Sequence, residues 1–166
     1  MRPWSEYEEV EAVFDDSKEH RLYLICEWCA NLPLCLYIML NPSTADMKHC
    51  DPTIDKCIKI AKNNGFGSIG VVNIFSLRTP RPEDLLHATV RTLPENMTYI
   101  KDAINDAGII VAAWGEKGQW FNMNYPILKY IEDQGKDLYY LELNKYGWPK
   151  HPLFLPEDTI IKEYKF

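Results

Sequence analysis

A short polar segment that follows an apolar run carries the residue types best suited to chemistry. The apolar run 36–40 ends at Asn41-Pro42, and because proline lacks an N–H and fixes φ, a buried strand is predicted to stop there. Loops at the carboxyl ends of parallel strands border the ligand crevice of an α/β sheet. We therefore interpret residues 41–51 as the candidate site. Asn41 can orient a water molecule, and either Asp46 or Asp51 can act as a base.

Three further polar or aromatic segments follow predicted strands in the same way. The β-branched and aromatic content of residues 69–75, 109–114 and 137–143 predicts buried strands. The residues at or just beyond their carboxyl ends are Asn73, Trp114-Gly115 and the loop 144–152. Because the carboxyl ends of parallel strands meet at one edge of a sheet, one crevice can hold these residues together with residues 41–51.

Helical patterns separate these strands. Asp51-Pro52 is a typical N-cap and first helical residue, and Asn64-Gly65 closes the helix that follows. Further helices are predicted at 81–86, 94–107 and about 121–133. The alternation predicts an α/β fold, a three-layer αβα arrangement with a four-stranded, mostly parallel sheet. Two β-rich runs at 10–14 and 21–28 flank a polar turn and predict an N-terminal antiparallel hairpin.

Composition favours a single compact domain over residues 1–166. The chain is 46% hydrophobic and 13% aromatic, which is sufficient for one well-packed core. No apolar stretch reaches the roughly 20 residues that span a bilayer, and the first nine residues do not resemble a signal peptide, so a cytoplasmic protein is expected.

The five cysteines are expected to be reduced thiols. Their number is odd, and Cys26-Glu-Trp-Cys29 lies in a strand-like run, whereas a redox pair needs a helix start and a zinc site needs a second ligand pair. We expect neither a metal nor another cofactor.

The distribution of charge matters more than the net charge of −6. Residues 1–20 contain seven acidic and two basic residues, and the remaining chain is close to neutral. Basic residues that follow predicted strands are candidates for contact with DNA phosphates, namely Lys48, Arg78, Lys145 and Lys150. An ordinary solvated surface is the simpler interpretation of these charges.

The chain lacks two common catalytic signatures. Neither G-x-x-x-x-G-K-[ST] nor G-x-G-x-x-G occurs, which argues against nucleotide hydrolysis of the phosphate-loop type. No serine occupies a nucleophile elbow. The predicted crevice instead offers amides, hydroxyls, aromatic rings, histidine and carboxylates.

The order of motifs resembles a widespread family of small bacterial and phage proteins whose function is uncharacterised. The resemblance covers roughly residues 20–156, and the Leu-Asn-Pro-Ser-Thr-Ala-Asp run at 40–46 is its most specific part. The other matching segments are Asp51-Pro-Thr-Ile, Val71-Val-Asn-Ile-Phe-Ser-Leu-Arg, Ala112-Ala-Trp-Gly and Lys150-His-Pro-Leu.

The same order is more distantly similar to the uracil-DNA glycosylase superfamily, which implies a uracil-DNA glycosylase-like fold and excision of a base flipped out of DNA. In that resemblance Asn41-Pro42 matches the turn whose Asn positions the attacking water. Asn73 falls where a base-reading Asn lies, and His151-Pro152 matches the loop that acts near the leaving base. The implied substrate-binding residues are Pro42, Ser43, Asp51, Asn73, Phe75, Trp114 and Trp148.

The predicted reaction is water-mediated hydrolysis of an N-glycosidic bond. No lysine is placed as a Schiff-base nucleophile, so the enzyme is expected to be monofunctional. Asn41, Asp46 and His151 are the predicted catalytic residues. Met39 and Leu153 replace a Gly and a Ser of the superfamily motifs, which favours a modified or bulky base, as in phage-DNA defence or repair.

Two other hypotheses remain open. A non-catalytic module that binds nucleic acid or a modified nucleotide would retain the pocket without the chemistry. A metal-dependent hydrolase would use Asp46, His49 and Asp51 as ligands. Each site residue also has a simpler structural role, such as capping by Asn41 or packing by Trp114.

Overall fold

The computed structural model describes residues 1–165. Its strands are β1 (Arg2–Pro3), β2 (Glu9–Phe14), β3 (Arg21–Glu27), β4 (Leu34–Met39), β5 (His49–Cys50), β6 (Ser68–Asn73), β7 (Ile109–Ala112), β8 (Leu138–Tyr140) and β9 (Lys162–Tyr164). Its α-helices are α1 (Pro52–Asn63), α2 (Asp84–His87), α3 (Asn96–Asp106) and α4 (Asn124–Asp133). Two 3₁₀ segments span Glu116–Asn122 and Pro152–Phe154.

The central sheet has seven strands in the order β2-β3-β6-β4-β7-β8-β9. Its core is parallel, because β6, β4, β7 and β8 pair side by side in the same direction. These are the four strands that the sequence predicts. The α/β class and the parallel core are therefore confirmed, and the carboxyl ends of the four strands lie along one edge of the sheet.

The sheet is larger than the predicted four strands. The antiparallel hairpin β2–β3 exists as predicted, but β3 also pairs with β6, so the hairpin extends the main sheet. The edge strand β9, which the sequence analysis missed, pairs with β8. Its three residues are mostly exposed and carry no alternation of apolar and polar side chains. The short strands β1 and β5 form a separate antiparallel pair.

Local signals explain most helix boundaries. Asp51 caps α1 and Pro52 begins it, as the sequence predicts. The helix predicted at about 121–133 begins at Asn124, because Phe121 and Asn122 adopt left-handed φ values of 56° and 54° that interrupt it. Among residues 1–165, no helix combines the length and apolar character needed to cross a membrane.

The two faces of the sheet bury separate apolar clusters. One cluster joins α1 to side chains such as Tyr37 and Val71, and the other joins α3 and α4 to side chains such as Ile38 and Val72. Alternate residues of one strand therefore face opposite helical layers. This double burial confirms helices on both sides of the sheet.

Replacement of Ile38 by Ala should destabilise the protein by about 2–5 kcal/mol, because it leaves a cavity between the centre of the sheet and α3. Ile38 is fully buried and its strand is paired on both sides. The free energy of unfolding in urea measures the effect. Ile160→Ala, at a position that is 64% exposed, should change it by less than about 0.5 kcal/mol. Equal effects of the two substitutions would contradict this description of the core.

Candidate active site

A cavity of about 630 Å³ lies at the carboxyl ends of the parallel strands. It lies between the loops that follow β4, β6 and β7 and the segment that contains His151. Its lining residues are Leu40, Asn41, Ser43, Thr44, Asp51, Pro52, Thr53, Thr79, Pro80, Pro82, Trp114, Gly115, Glu116, Lys117, His151, Leu153 and Phe154. The predicted crevice therefore exists and has the size of a small-molecule or nucleobase site.

Asn41 is held in one orientation by backbone carbonyls. Its Nδ2 donates to the carbonyl of Pro42 at 3.0 Å and to that of Thr79 at 2.9 Å. The amide nitrogen must face these two carbonyl oxygens, because the amide oxygen in the same position would be repelled by their lone pairs. No donor in residues 1–165 is hydrogen-bonded to Oδ1. Asn41 therefore offers an unused acceptor to the cavity that it lines.

Asp51 is a buried carboxylate that organises the loop. Its Oδ1 accepts from the N–H of Ile54 at 2.8 Å and its Oδ2 from the N–H of Ala45 at 3.1 Å. The side chain of Arg21 lies on the other side of Ala45 and donates to its carbonyl at 3.2 Å. Burial lowers the pKa of Arg21 to about 10, and the nearby Asp51 opposes this shift. Because this pKa is still well above 7, the guanidinium stays charged at neutral pH.

His151 is held with one nitrogen as an acceptor. Its Nδ1 accepts from the N–H of Leu153 at 3.3 Å, so the neutral ring carries its proton on Nε2. His151 is exposed to solvent as a residue, but the protein atoms around its ring desolvate it and lower its pKa, and the nearby Asp51 opposes this shift. The ring is therefore neutral at physiological pH, and Nε2–H is a donor available to a bound group.

The wall that follows β7 is built around Trp114. The indole is 4% exposed, and its Nε1 has no hydrogen-bond partner in the described chain. Gly118 packs directly against the indole ring, where a Cβ atom would overlap it. Gly115, with φ of 69°, turns the chain and donates its N–H to the carbonyl of Pro149 at 2.8 Å. This bond joins the β7 loop to the loop that leads to His151.

The mouth of the cavity combines apolar and charged side chains. Lys117 forms an ion pair of 2.7 Å with Glu83, which links the segment after β7 to the loop after β6. Phe154 lines the cavity and is 89% exposed. An aromatic side chain this exposed beside a cavity is a candidate contact for a ligand larger than the cavity.

Five of the predicted site residues share this cavity, namely Asn41, Ser43, Asp51, Trp114 and His151. The other predicted residues lie elsewhere. Pro42 is buried behind Asn41, where its carbonyl accepts the Thr79 N–H at 3.0 Å. Asn73 and Phe75 are buried in the sheet and its core and do not line the cavity. Trp148 lines a small void of about 50 Å³ behind Trp114.

Asp46 lies outside the cavity as well. Its Oδ1 accepts from the N–H groups of Lys48 and His49, both at 2.8 Å. Partial burial raises its pKa, but these two hydrogen bonds outweigh the effect and leave the pKa below its ordinary value. Asp46 therefore closes a turn on the outer side of the loop. In the described chain no three His, Cys, Asp or Glu side chains are grouped to hold a metal ion.

The four basic candidates divide into two regions. Lys48 and Arg78 line a second cleft beside the loop. Lys145 and Lys150 lie on the loop 144–150, where Lys150 is paired with Glu142 at 3.4 Å and Lys145 lies 5.0 Å from the Tyr146 ring. The structure therefore does not bring the four together on one surface.

Sequence reasoning missed several cavity residues. Thr79 reaches the cavity because residues after β6 run alongside the end of β4, with the N–H groups of Ile74 and Phe75 bonded to Met39 and Leu40. Lys117 and Phe154 lie in 3₁₀ segments without a periodic pattern. The sequence signals that could have located these segments are Gly115, which precedes the first, and Pro152, which begins the second.

The architecture and the site define an α/β protein with a ligand cavity at the carboxyl ends of its parallel strands. The model of the family "Protein of unknown function (DUF1643)" matches residues 21–153, and the chain belongs to this family. The matched region includes β3 to β8 and every cavity residue except Phe154. Comparison with curated proteins and with solved structures finds no match.

Replacement of Asp51 by Ala should lower the free energy of unfolding by about 1–3 kcal/mol, because two backbone N–H groups and the charge of Arg21 lose their partner. Asp51→Asn should cost less, since asparagine also caps helices well. Urea denaturation measures both. Asp102→Ala on the exposed side of α3 is the matched control and should change stability by less than about 0.5 kcal/mol. A harmless Asp51→Ala substitution would contradict the assigned role.

His151 should titrate below the ordinary histidine pKa of about 6.5 and should carry its neutral proton on Nε2. The unfolded chain takes up a proton near pH 6.5, but the folded chain does so only at lower pH. The contribution of His151 to stability is therefore complete above pH 6.5 and is lost as the pH falls through the folded pKa.

Nitrogen-15 NMR of the imidazole measures both the pKa and the tautomer. His151→Gln should remove this component of the pH dependence of stability. A pKa at or above 6.5, or a proton on Nδ1 of the neutral ring, would contradict the described environment.

Proposed function

We propose that this protein is a monofunctional DNA base N-glycosylase that acts on a modified base. The observation that carries the proposal is the fixed amide of Asn41, whose Oδ1 is left as an acceptor in a cavity that also contains the Nε2–H donor of His151. Hydrolysis of an N-glycosidic bond needs a positioned water on one side of the sugar and a donor for the departing base on the other. These two groups supply both.

In the proposed reaction, the water is held by the acceptor of Asn41 and attacks C1′ of the sugar. The bond between C1′ and the base nitrogen breaks, and its electron pair leaves with the base. The transition state resembles an oxocarbenium ion, which a nearby negative charge stabilises. Asp51, which lines the cavity, supplies that charge through space, while each of its oxygens accepts one backbone hydrogen bond that holds the carboxylate in place.

His151 assists the departing base as a neutral donor. Desolvation lowers its pKa. Nδ1 also accepts a hydrogen bond from the N–H of Leu153, and a proton on Nδ1 would clash with that N–H. A neutral Nε2–H donor stabilises negative charge on the base without a full proton transfer. The water oxygen, once bonded to C1′, releases its extra proton to solvent, and the anionic base takes up a proton from solvent, so protons and charge balance.

A modified base is favoured by the shape of the site. Met39 stands in place of the tight glycine turn of the uracil-DNA glycosylase superfamily, and the cavity of about 630 Å³ exceeds what a single pyrimidine ring fills. Trp114 and Gly115 form one wall and Pro80 and Pro82 another. These mostly apolar surfaces suit a flipped base that carries an additional group. Defence against phage DNA and repair are both compatible with such a substrate.

A specific observation also supports a second candidate function, a non-catalytic module that binds DNA or a modified nucleotide. The predicted base Asp46 lies outside the cavity, and each oxygen of Asp51 already accepts a backbone hydrogen bond. Leu153 also replaces the serine that follows His-Pro in the superfamily motif. Such a module would use the same cavity for recognition alone.

An abasic-site assay tests the proposed activity. Purified protein is incubated with DNAs that contain uracil, mismatches or hypermodified phage bases, and alkali then cleaves wherever a base has been lost. Asn41→Ala should reduce base release by about 100-fold or more, because the water loses its acceptor. Its unfolding midpoint should stay close to that of the natural protein, which shows that the loss is chemical.

Asn31→Ala is the matched control, because Asn31 is exposed and lines no described cavity. Undiminished base release by the Asn41 variant would overturn the mechanism. Measurable DNA binding without an abasic product on any of these substrates would instead favour the binding module.

A further inference from the structure

We propose that a second cleft, beside the cavity, binds the phosphodiester backbone of the DNA strand whose base occupies the cavity. This phosphate cleft is lined by Ala12, Val13, Phe14, Lys18, Asp46, Met47, Lys48 and Arg78, and has a volume of about 530 Å³. It lies between the turn of the β2–β3 hairpin and the turn that Asp46 closes. The inference rests on the proposed function, because it names how the substrate strand is held.

The charge of the phosphate cleft is positive and unpaired. None of the three cations Lys18, Lys48 and Arg78 has a carboxylate partner within 4.0 Å among residues 1–165. The one carboxylate in the lining, Asp46, already accepts two backbone hydrogen bonds through Oδ1. The lining side chains thus carry three positive charges and one negative charge, which suits an anionic backbone, and the acidic residues of the same hairpin turn, Asp15, Asp16 and Glu19, lie outside the lining.

Arg78 is fixed in place without being neutralised. Its Nε donates to the carbonyl of Ser43 at 3.2 Å and its Nη1 to the carbonyl of Lys18 at 2.9 Å. The guanidinium lies 4.8 Å from the centre of the Phe14 ring. Backbone carbonyls and an aromatic face orient a guanidinium but do not cancel its charge. Within residues 1–165 no hydrogen bond uses the two donors of Nη2. A preorganised guanidinium with free donors is well suited to bind a phosphate group.

Lys18 occupies a position that a lysine rarely adopts. Its φ of 64° lies in the left-handed region, where glycine or asparagine is the usual residue of a tight turn. Strained residues of this kind concentrate where a side chain has a function. Here the strained residue supplies a carbonyl to Arg78, and its Nζ lies 5.5 Å from the same Phe14 ring. The turn therefore brings a second cation to the cleft.

The phosphate cleft and the cavity share one loop. Ser43, which lines the cavity, accepts the hydrogen bond from Arg78. Thr44 lines the cavity and Met47 lines the cleft, so the two sites are separated by at most about 10 Å of chain. That separation corresponds to about three nucleotide steps. A strand with one base in the cavity can thus reach the cleft with a phosphate up to about three nucleotides away.

The test measures DNA binding with no requirement for base release. Binding of fluorescein-labelled oligodeoxythymidylate is followed by fluorescence anisotropy as a function of salt concentration. The variant Lys18→Asn/Lys48→Gln removes two charges, and asparagine tolerates the left-handed φ. Its plot of log K against log salt should be shallower by about 1.4, since each lost phosphate contact on a single strand contributes about 0.7. Lys101→Gln/Lys129→Gln changes the net charge equally on α3 and α4 and should leave the slope unchanged.

Equal slopes for the two double variants would overturn the proposal. A second result would also overturn it. If thymidine monophosphate bound as tightly as the oligonucleotide, and Lys18→Asn/Lys48→Gln weakened both equally, the cleft would be a site for a free nucleotide. The abasic-site assay on the natural protein, with Asn41 intact, separates this inference from the proposed function. A shallower slope for Lys18→Asn/Lys48→Gln, together with no base release by the natural protein from any of the DNAs, would support the cleft and reject the glycosylase.

Discussion

The geometry of the cavity depends on one buried residue, Ala45, whose backbone is held between opposite charges. The N–H of Ala45 is bonded to Asp51 and its carbonyl to Arg21, and both side chains are almost inaccessible to solvent. Removing two charges from water is costly unless each is compensated by fixed dipoles or by the other charge. The loop between β4 and α1 must therefore keep the conformation that supplies those dipoles. Asn41 and Ser43 project from the same loop.

The parallel sheet gives this loop its neighbours. Because β4 lies between β6 and β7, the segments after all three strands emerge side by side. A backbone bond from Thr79 to Pro42 joins the segments after β6 and β4, and a bond from Gly115 to Pro149 joins the segment after β7 to the loop after β8. The side chains that reach the cavity are consequently fixed by main-chain contacts before any ligand binds. Preorganisation of this kind is what a site needs if it is to act on developing charge.

The sequence was most informative where burial and backbone chemistry act locally. The four parallel strands are apolar on both faces, and Asp51-Pro52 marks the start of α1, so these elements and the position of Asn41 could be predicted. Contacts between distant segments could not. Nothing local shows that Asn73 turns into the sheet, that Asp46 caps a turn away from the cavity, or that Lys117 and Phe154 reach it. Those outcomes depend on how loops pack after the sheet has formed.

The ion pair between Glu83 and Lys117 has a consequence for kinetics. It joins two loops at the mouth of the cavity and both of its side chains are exposed to solvent, so salt weakens it readily. The pair links Lys117, which lines the cavity, to the loop that carries the lining residues Pro80 and Pro82. Higher ionic strength therefore loosens the link between these two parts of the cavity wall and changes how fast they move relative to each other.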